Sequence, residues 1–157
     1  MSEVRTEPEL TTIPEAATAV VRAVVPLGDL PAFFDRAFPT IGAALGASGA
    51  TSTGPAFAYY VREPDDSCEL EVGFPIDGAI EPAGDVVPSR LPGGRVATVV
   101  HEGGYDGLQQ SWSRLQDWAE QQGLTRVGGF WEVYLTEPGP DADPADNRTA
   151  LYLPLRA

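Results

Sequence analysis

Gly128-Gly129-Phe130-Trp131-Glu132-Val133-Tyr134-Leu135-Thr136-Glu137-Pro138 decides how this chain is read. Aromatic and β-branched residues follow two glycines and stop at a proline, which is the make-up of a short strand. Alternation along a strand sends Phe130, Glu132 and Tyr134 to one face and Trp131, Val133 and Leu135 to the other. The second set is uniformly apolar and belongs against a core. The first sets one carboxylate between two rings, an odd packing surface but a sensible lining for a pocket that takes a flat cation. The stretch has a counterpart upstream. Gly54-Pro55-Ala56-Phe57-Ala58-Tyr59-Tyr60-Val61-Arg62-Glu63-Pro64 lies on it without a gap, with Gly, Tyr, Glu and Pro identical at Gly54, Tyr60, Glu63 and Pro64. Val72-Gly73-Phe74-Pro75-Ile76 echoes Leu151-Tyr152-Leu153-Pro154-Leu155. Where the second copy has Glu132 the first has Ala58. A carboxylate needed only for folding would recur in both copies, so this one reads as added for function.

Working outward, the flanking segments give each copy the same elements. Residues 3–13 suggest a short leading strand or arm. Thr18–Val25 reads as a buried strand. Asp29 and Pro31 open a helix of about residues 30–45, whose apolar stripe is Phe33, Phe34, Ala37, Phe38, Ile41 and Leu45, with a kink or break expected at Pro39. Strands follow at 55–63 and 68–76, joined by the acidic turn Pro64-Asp65-Asp66. Gly- and Pro-rich residues 78–94 read as a linker. The pattern then restarts with a strand at 95–101, a helix at about 107–122 ended by Gly123, the Glu132 strand, an acidic loop from Pro138 to Asn147, and a closing strand at 149–155. The expected fold is α+β: one domain of two strand-helix-strand-strand repeats, about 15–77 and 95–157, related by a pseudo-twofold. Each repeat would lay its helix across one face of an antiparallel sheet, leaving the other faces to form a ligand cleft between the repeats.

Composition narrows the function classes. The chain of 157 residues carries 23 acids against 10 bases, a net charge of −13, and all ten bases are Arg. This charge argues against nucleic acid, whose binding is led by basic neutralisation of phosphates, and favours cationic ligands. The single Cys68 excludes an intrachain disulfide and a cysteine metal site and fits a cytoplasmic protein. No apolar run reaches the roughly 18–20 residues of a membrane helix. His101 is the lone histidine, without the Cys or carboxylate partners of a metal site, and reads as structural. Asp141, Asp143 and Asp146 lack calcium-loop spacing. No metal and no cofactor is expected. Trp112, Trp118 and the Phe33, Phe34, Phe38 group sit at helical spacing and suit a core.

His101-x-Gly103-x-Tyr105 followed by Leu108 and Trp112, then Trp131-Glu132-x-Tyr134-Leu135 and the terminal Tyr152-Leu153-Pro154-Leu155, resembles the GyrI-like small-molecule-binding family. That family is related to the effector-binding domains of multidrug-sensing transcription activators and, more distantly, to SOUL haem-binding proteins. The resemblance covers residues from about 4 to 155. It implies a cleft between the repeats where rings stack on planar cationic drugs and a glutamate at the position of Glu132 neutralises them. Phe130, Tyr134, Tyr60, Tyr152, Tyr105, Trp131 and Trp112 are the aromatic candidates around it. Some stand-alone members of the family hydrolyse strained cyclopropane-containing natural products with the same glutamate. SOUL-like haem ligation by His101 is not expected.

Physical chemistry supports the same residues. A partly buried carboxylate flanked by rings attracts a cation through a lowered dielectric, and each ring adds about 0.5–2 kcal/mol of cation–π attraction. Burial should raise the pKa of Glu132, so it would also suit general acid or base work near neutrality. Three classes therefore stand open: a multidrug-binding protein for sequestration or resistance that takes planar cationic or amphipathic compounds, a hydrolase acting through Glu132, and a topoisomerase-interacting inhibitor.

Overall fold

The computed structural model describes residues 7–62, 65–104, 107–136 and 147–156. In chain order these form β1 (Glu9–Ile13), β2 (Ala16–Pro26), a single 3-10 turn, α1 (Leu30–Ser48), β3 (Thr51–Ser52), β4 (Phe57–Tyr60) and β5 (Ser67–Asp77). There follow β6 (Val86–Leu91), β7 (Gly94–Glu102), α2 (Leu108–Gln121), β8 (Phe130–Tyr134) and β9 (Arg148–Pro154). The strands run in the order β1-β7-β9-β8-β4-β5-β2-β6, every neighbour antiparallel, with β3 pairing the end of β5. The fold is α+β, as the sequence implies.

The two halves meet where β4 pairs β8, and there Ala58 lies directly opposite Glu132. These are the same two positions that the ungapped sequence match equates. A local dyad through that pair returns each partner to its counterpart, since Phe57↔Val133 becomes Trp131↔Tyr59. Ala58, the small residue at that point, is fully buried.

Two short links curl the sheet. β7 is second in the order and β6 is eighth, yet only Pro92 and Gly93 join them. A flat sheet would hold them about 29 Å apart at ~4.8 Å per strand, while the three peptide steps from Leu91 to Gly94 reach about 11 Å at most. Pro14 and Glu15 impose the same constraint between β1 and β2. The sheet therefore rolls up, with its edges β1 and β6 unpaired to each other. Inside the roll sits one core of Val20, Phe57, Leu91, Val96 and Trp131. Outside, Phe33, Ala37, Ile41 and Leu45 of α1 and Trp112, Leu115 and Ala119 of α2 form a second core with Ala58, Tyr60, Val72, Ala97, Phe130, Leu151 and Leu153 of the sheet.

Some boundaries differ from the sequence reading. The supposed linker contains β6, which pairs β2; Pro88 disguises it, and the edge position tolerates a proline that lacks a ladder donor. α1 continues unbroken through Pro39 to Ser48, held by its buried stripe, and ends where Gly49 takes a left-handed φ of 77°. The strand drawn over 128–137 narrows to 130–134, and the acidic loop's residues 137–146 lie outside the described residues. The cleft was expected on the faces the helices leave bare, but those faces close on each other inside the roll. Phe130, Glu132 and Tyr134 instead face the side that carries α1 and α2.

Candidate functional site

Glu132 sits mid-strand in β8 with 7% of its surface exposed. Trp112 on α2 donates its indole Nε1–H to Oε1 at 3.0 Å, and the Tyr134 hydroxyl donates to Oε2 at 3.1 Å. Tyr134 is hydrogen-bonded in turn to Tyr60 of β4. Phe130 completes the enclosure, stacked on Tyr60 at 5.1 Å between centroids and edge-on to Trp112 at 4.7 Å. No arginine pairs with the acid among the described residues; the ion pairs formed there join other acids, as in Arg22–Glu71 and Arg90–Glu15. Burial accordingly raises the Glu132 pKa, and the hydrogen bonds from Trp112 and Tyr134 and the nearness of His101 offset part of that rise. The Tyr60 phenol is pushed up as well, by burial first and by the Glu132 charge second.

The structure thus gathers Glu132, Tyr134, Phe130, Tyr60 and Trp112 into one cluster at the seam of the two halves. Trp131 and Tyr152 stand elsewhere. Tyr152 was read as facing the cleft, but β8 and β9 pair Trp131 with Tyr152, and directly opposed residues share a face. Alternation turns Trp131 away from Glu132, so Tyr152 goes with it into the roll, where the two rings stack at 5.3 Å and 13°. Tyr59, not singled out from sequence, meets Trp131 edge-on there at 5.9 Å. Tyr105 lies outside the described residues.

His101 is a strap, as its isolation in the sequence implied. Nε2 lies 2.8 Å from the Gly104 carbonyl oxygen and Nδ1 lies 2.6 Å from Ser111 Oγ. A carbonyl only accepts, so Nε2 carries a proton toward Gly104, while Nδ1 and the Ser111 hydroxyl share the second hydrogen bond. Both ring nitrogens are occupied in tying β7 to the start of α2. The described residues hold no cluster of three or more His, Cys, Asp or Glu suited to a metal.

A hollow of about 590 Å3 opens on the solvent side of α2, between Glu7, Pro8, Gln110, Arg114, Asp117 and Trp118. Glu132 does not line it. Around Glu132 the rings close on the carboxylate, so the acid is held by neighbours that a ligand would have to part. Among the described residues no helix is long and apolar enough to cross a membrane.

These observations define a class: an α+β domain whose rolled antiparallel sheet carries two helices and, where its halves meet, one buried acid among rings. Residues 6–156 match the GyrI-like small molecule binding domain, and the chain belongs to that family. Among solved structures the EcmrR C-terminal domain is similar, with a TM-score of 0.84 and 23% identity over 96% of this chain and 97% of that one. In the EcmrR–DNA complex the likeness covers 95% of this chain and 57% of that one, so this chain spans a little over half of that protein. SAV2435 bound to tetraphenylphosphonium aligns at a TM-score of 0.70 and 13% identity, covering 96% of this chain and 94% of that one. A hydrolase from Listeria innocua aligns at 0.67 and 15%, covering 98% and 94%. At these identities the likeness is one of fold. No curated protein matches the chain in sequence.

Proposed function

We propose that this protein is a multidrug-type receptor that takes lipophilic, aromatic cations against Glu132, at the seam of repeats one and two, and sequesters them in the cytoplasm. The observation that carries the reading is a buried carboxylate with no arginine beside it among the described residues, both of its oxygens held by ring-bearing donors. Such a group is costly to bury and gives the fold nothing a neutral residue could not, which is the signature of a charge kept for a partner. A delocalised organic cation suits it, being weakly hydrated and able to stack on Trp112, Phe130 and Tyr60. Tetraphenylphosphonium in SAV2435 is a cation of this type. Because the carboxylate is capped, binding requires Trp112 or Tyr134 to swing aside, and the released donor then faces the ligand. At an effective dielectric near 20, a cation held about 5–6 Å from the carboxylate gains about 3 kcal/mol. Titration of tetraphenylphosphonium by tryptophan fluorescence should therefore show Glu132→Gln binding about 30–150-fold more weakly than wild type. Equal affinity in both proteins would end this reading.

A second reading rests on the raised pKa of Glu132 and its contact with Tyr134: protonated Glu132 as the acid that opens a strained or electrophilic substrate. Turnover of a cyclopropane-bearing alkylator above the buffer rate, lost in Glu132→Gln, supports it. No turnover across several such substrates removes it.

A further inference from the structure

We propose that Thr149 forms a hydrogen-bonding end to the Glu132 pocket and selects cations that carry a hydroxyl or carbonyl a few bonds from the charged centre. The inference rests on the binding reading above and adds what the ligand must contain. Thr149 is fully buried on β9, opposite Tyr134 of β8 on one side and His101 of β7 on the other. It therefore faces the helix-bearing side, on the same wall as Glu132. Among the described residues its Oγ1 has no hydrogen-bond partner. The two residues opposite it are bonded elsewhere, His101 to Ser111 and Gly104 and the Tyr134 hydroxyl to Glu132. A buried hydroxyl left unpaired is unfavourable, and a ligand group that pairs with it recovers that loss. Thr18, the other buried hydroxyl in this condition, alternates with Ala19 and lies on the opposite face, inside the roll.

Register sets the spacing. Glu132 is opposite Leu151, so Thr149, two residues along, is its diagonal neighbour, with Cβ atoms about 7 Å apart. A cation drawn to Glu132 thus places a polar group within reach of Thr149 when the two are joined by a tether of about three carbons. Because a threonine hydroxyl both donates and accepts, it serves an alcohol or a carbonyl equally.

The test is a matched pair of probes, (3-hydroxypropyl)triphenylphosphonium and butyltriphenylphosphonium, which differ only in hydroxyl for methyl. Calorimetric titration should show wild type preferring the hydroxyl probe about 3–10-fold. Thr149→Val, which keeps the side-chain shape, should lose that preference while holding the butyl probe within about twofold, and Thr149→Ser should retain it. A preference that is unchanged in Thr149→Val, or lacking in wild type while both probes still bind in a Glu132-dependent way, overturns the assignment of Thr149 alone. Failure of both probes to bind wild type, or equal binding by Glu132→Gln, overturns the cation reading and this inference with it.

Discussion

Replacing Glu132 with glutamine should make the protein more stable near neutral pH and leave it unchanged in acid. Hydrogen-bond directions give the reason. The Trp112 indole can only donate, so Oε1 of Glu132 must remain an acceptor in every protonation state. The Tyr134 hydroxyl can turn, so an arriving proton settles on Oε2 and Tyr134 accepts it, passing its own hydrogen bond toward Tyr60. A glutamine amide meets the same two partners, oxygen toward Trp112 and nitrogen toward Tyr134, and so reproduces the protonated acid. Burial raises the Glu132 pKa above the ordinary 4.5. Between that value and the raised one, the folded protein holds a proton that the unfolded chain has released. The stability tied to this proton is complete below the ordinary pKa and is lost as pH climbs through the folded one, at no more than about 1.4 kcal/mol per pH unit. A change of 1 kcal/mol moves Tm by about 2–4 °C in a domain of this size, so wild type should fall behind Glu132→Gln by about 3–5 °C for each pH unit in that window. Thermal unfolding followed by circular dichroism, from about pH 4.5 to 8, reads this directly because the other acids act on both proteins alike. Two Tm curves that stay parallel across the range, or a wild type more stable than the variant at neutral pH, would refute the claim that the charge is buried at a cost.

Trp112→Phe removes the donor on Oε1 and with it one of the influences holding the Glu132 pKa down; it should cost about 1–3 kcal/mol in urea unfolding at neutral pH and extend the divergence described above to higher pH, its onset unchanged. An unchanged divergence would show that the indole does not steady the carboxylate. Gly73→Ala should cost about 2–3 kcal/mol by the same assay, because a methyl group there would overlap the Ala19 carbonyl on the paired strand β2. A neutral result would mean that β2 and β5 can separate locally without loss.

The α+β class and the position of the acid were legible because they follow from local pattern. Alternation alone puts Phe130, Glu132 and Tyr134 on one face, and the ungapped match sets Ala58 against Glu132, the point at which the two strands pair. What could not be read was which strand lies beside which. Tyr152 was misplaced because its face depends on the β8–β9 register, and Thr149 was overlooked because nothing in its own neighbourhood marks it until Tyr134 and His101 close around it. The roll of the sheet escaped for a related reason. Pro14-Glu15 and Pro92-Gly93 look like ordinary short links until the strand order shows how far apart a flat sheet would hold their ends. β6 was hidden by Pro88, a residue that forbids a central strand and is harmless at an edge.

If an ionised, buried Glu132 is what holds the ligand, the affinity for tetraphenylphosphonium must follow the titration of that carboxyl with pH. In wild type the association constant should rise by up to about tenfold per pH unit, about 30–150-fold in all, as pH climbs to the raised Glu132 pKa and level off above it, whereas Glu132→Gln should bind weakly at every pH. An affinity that does not change with pH in wild type, or the same pH profile in both proteins, would show that the Glu132 charge does not hold the ligand.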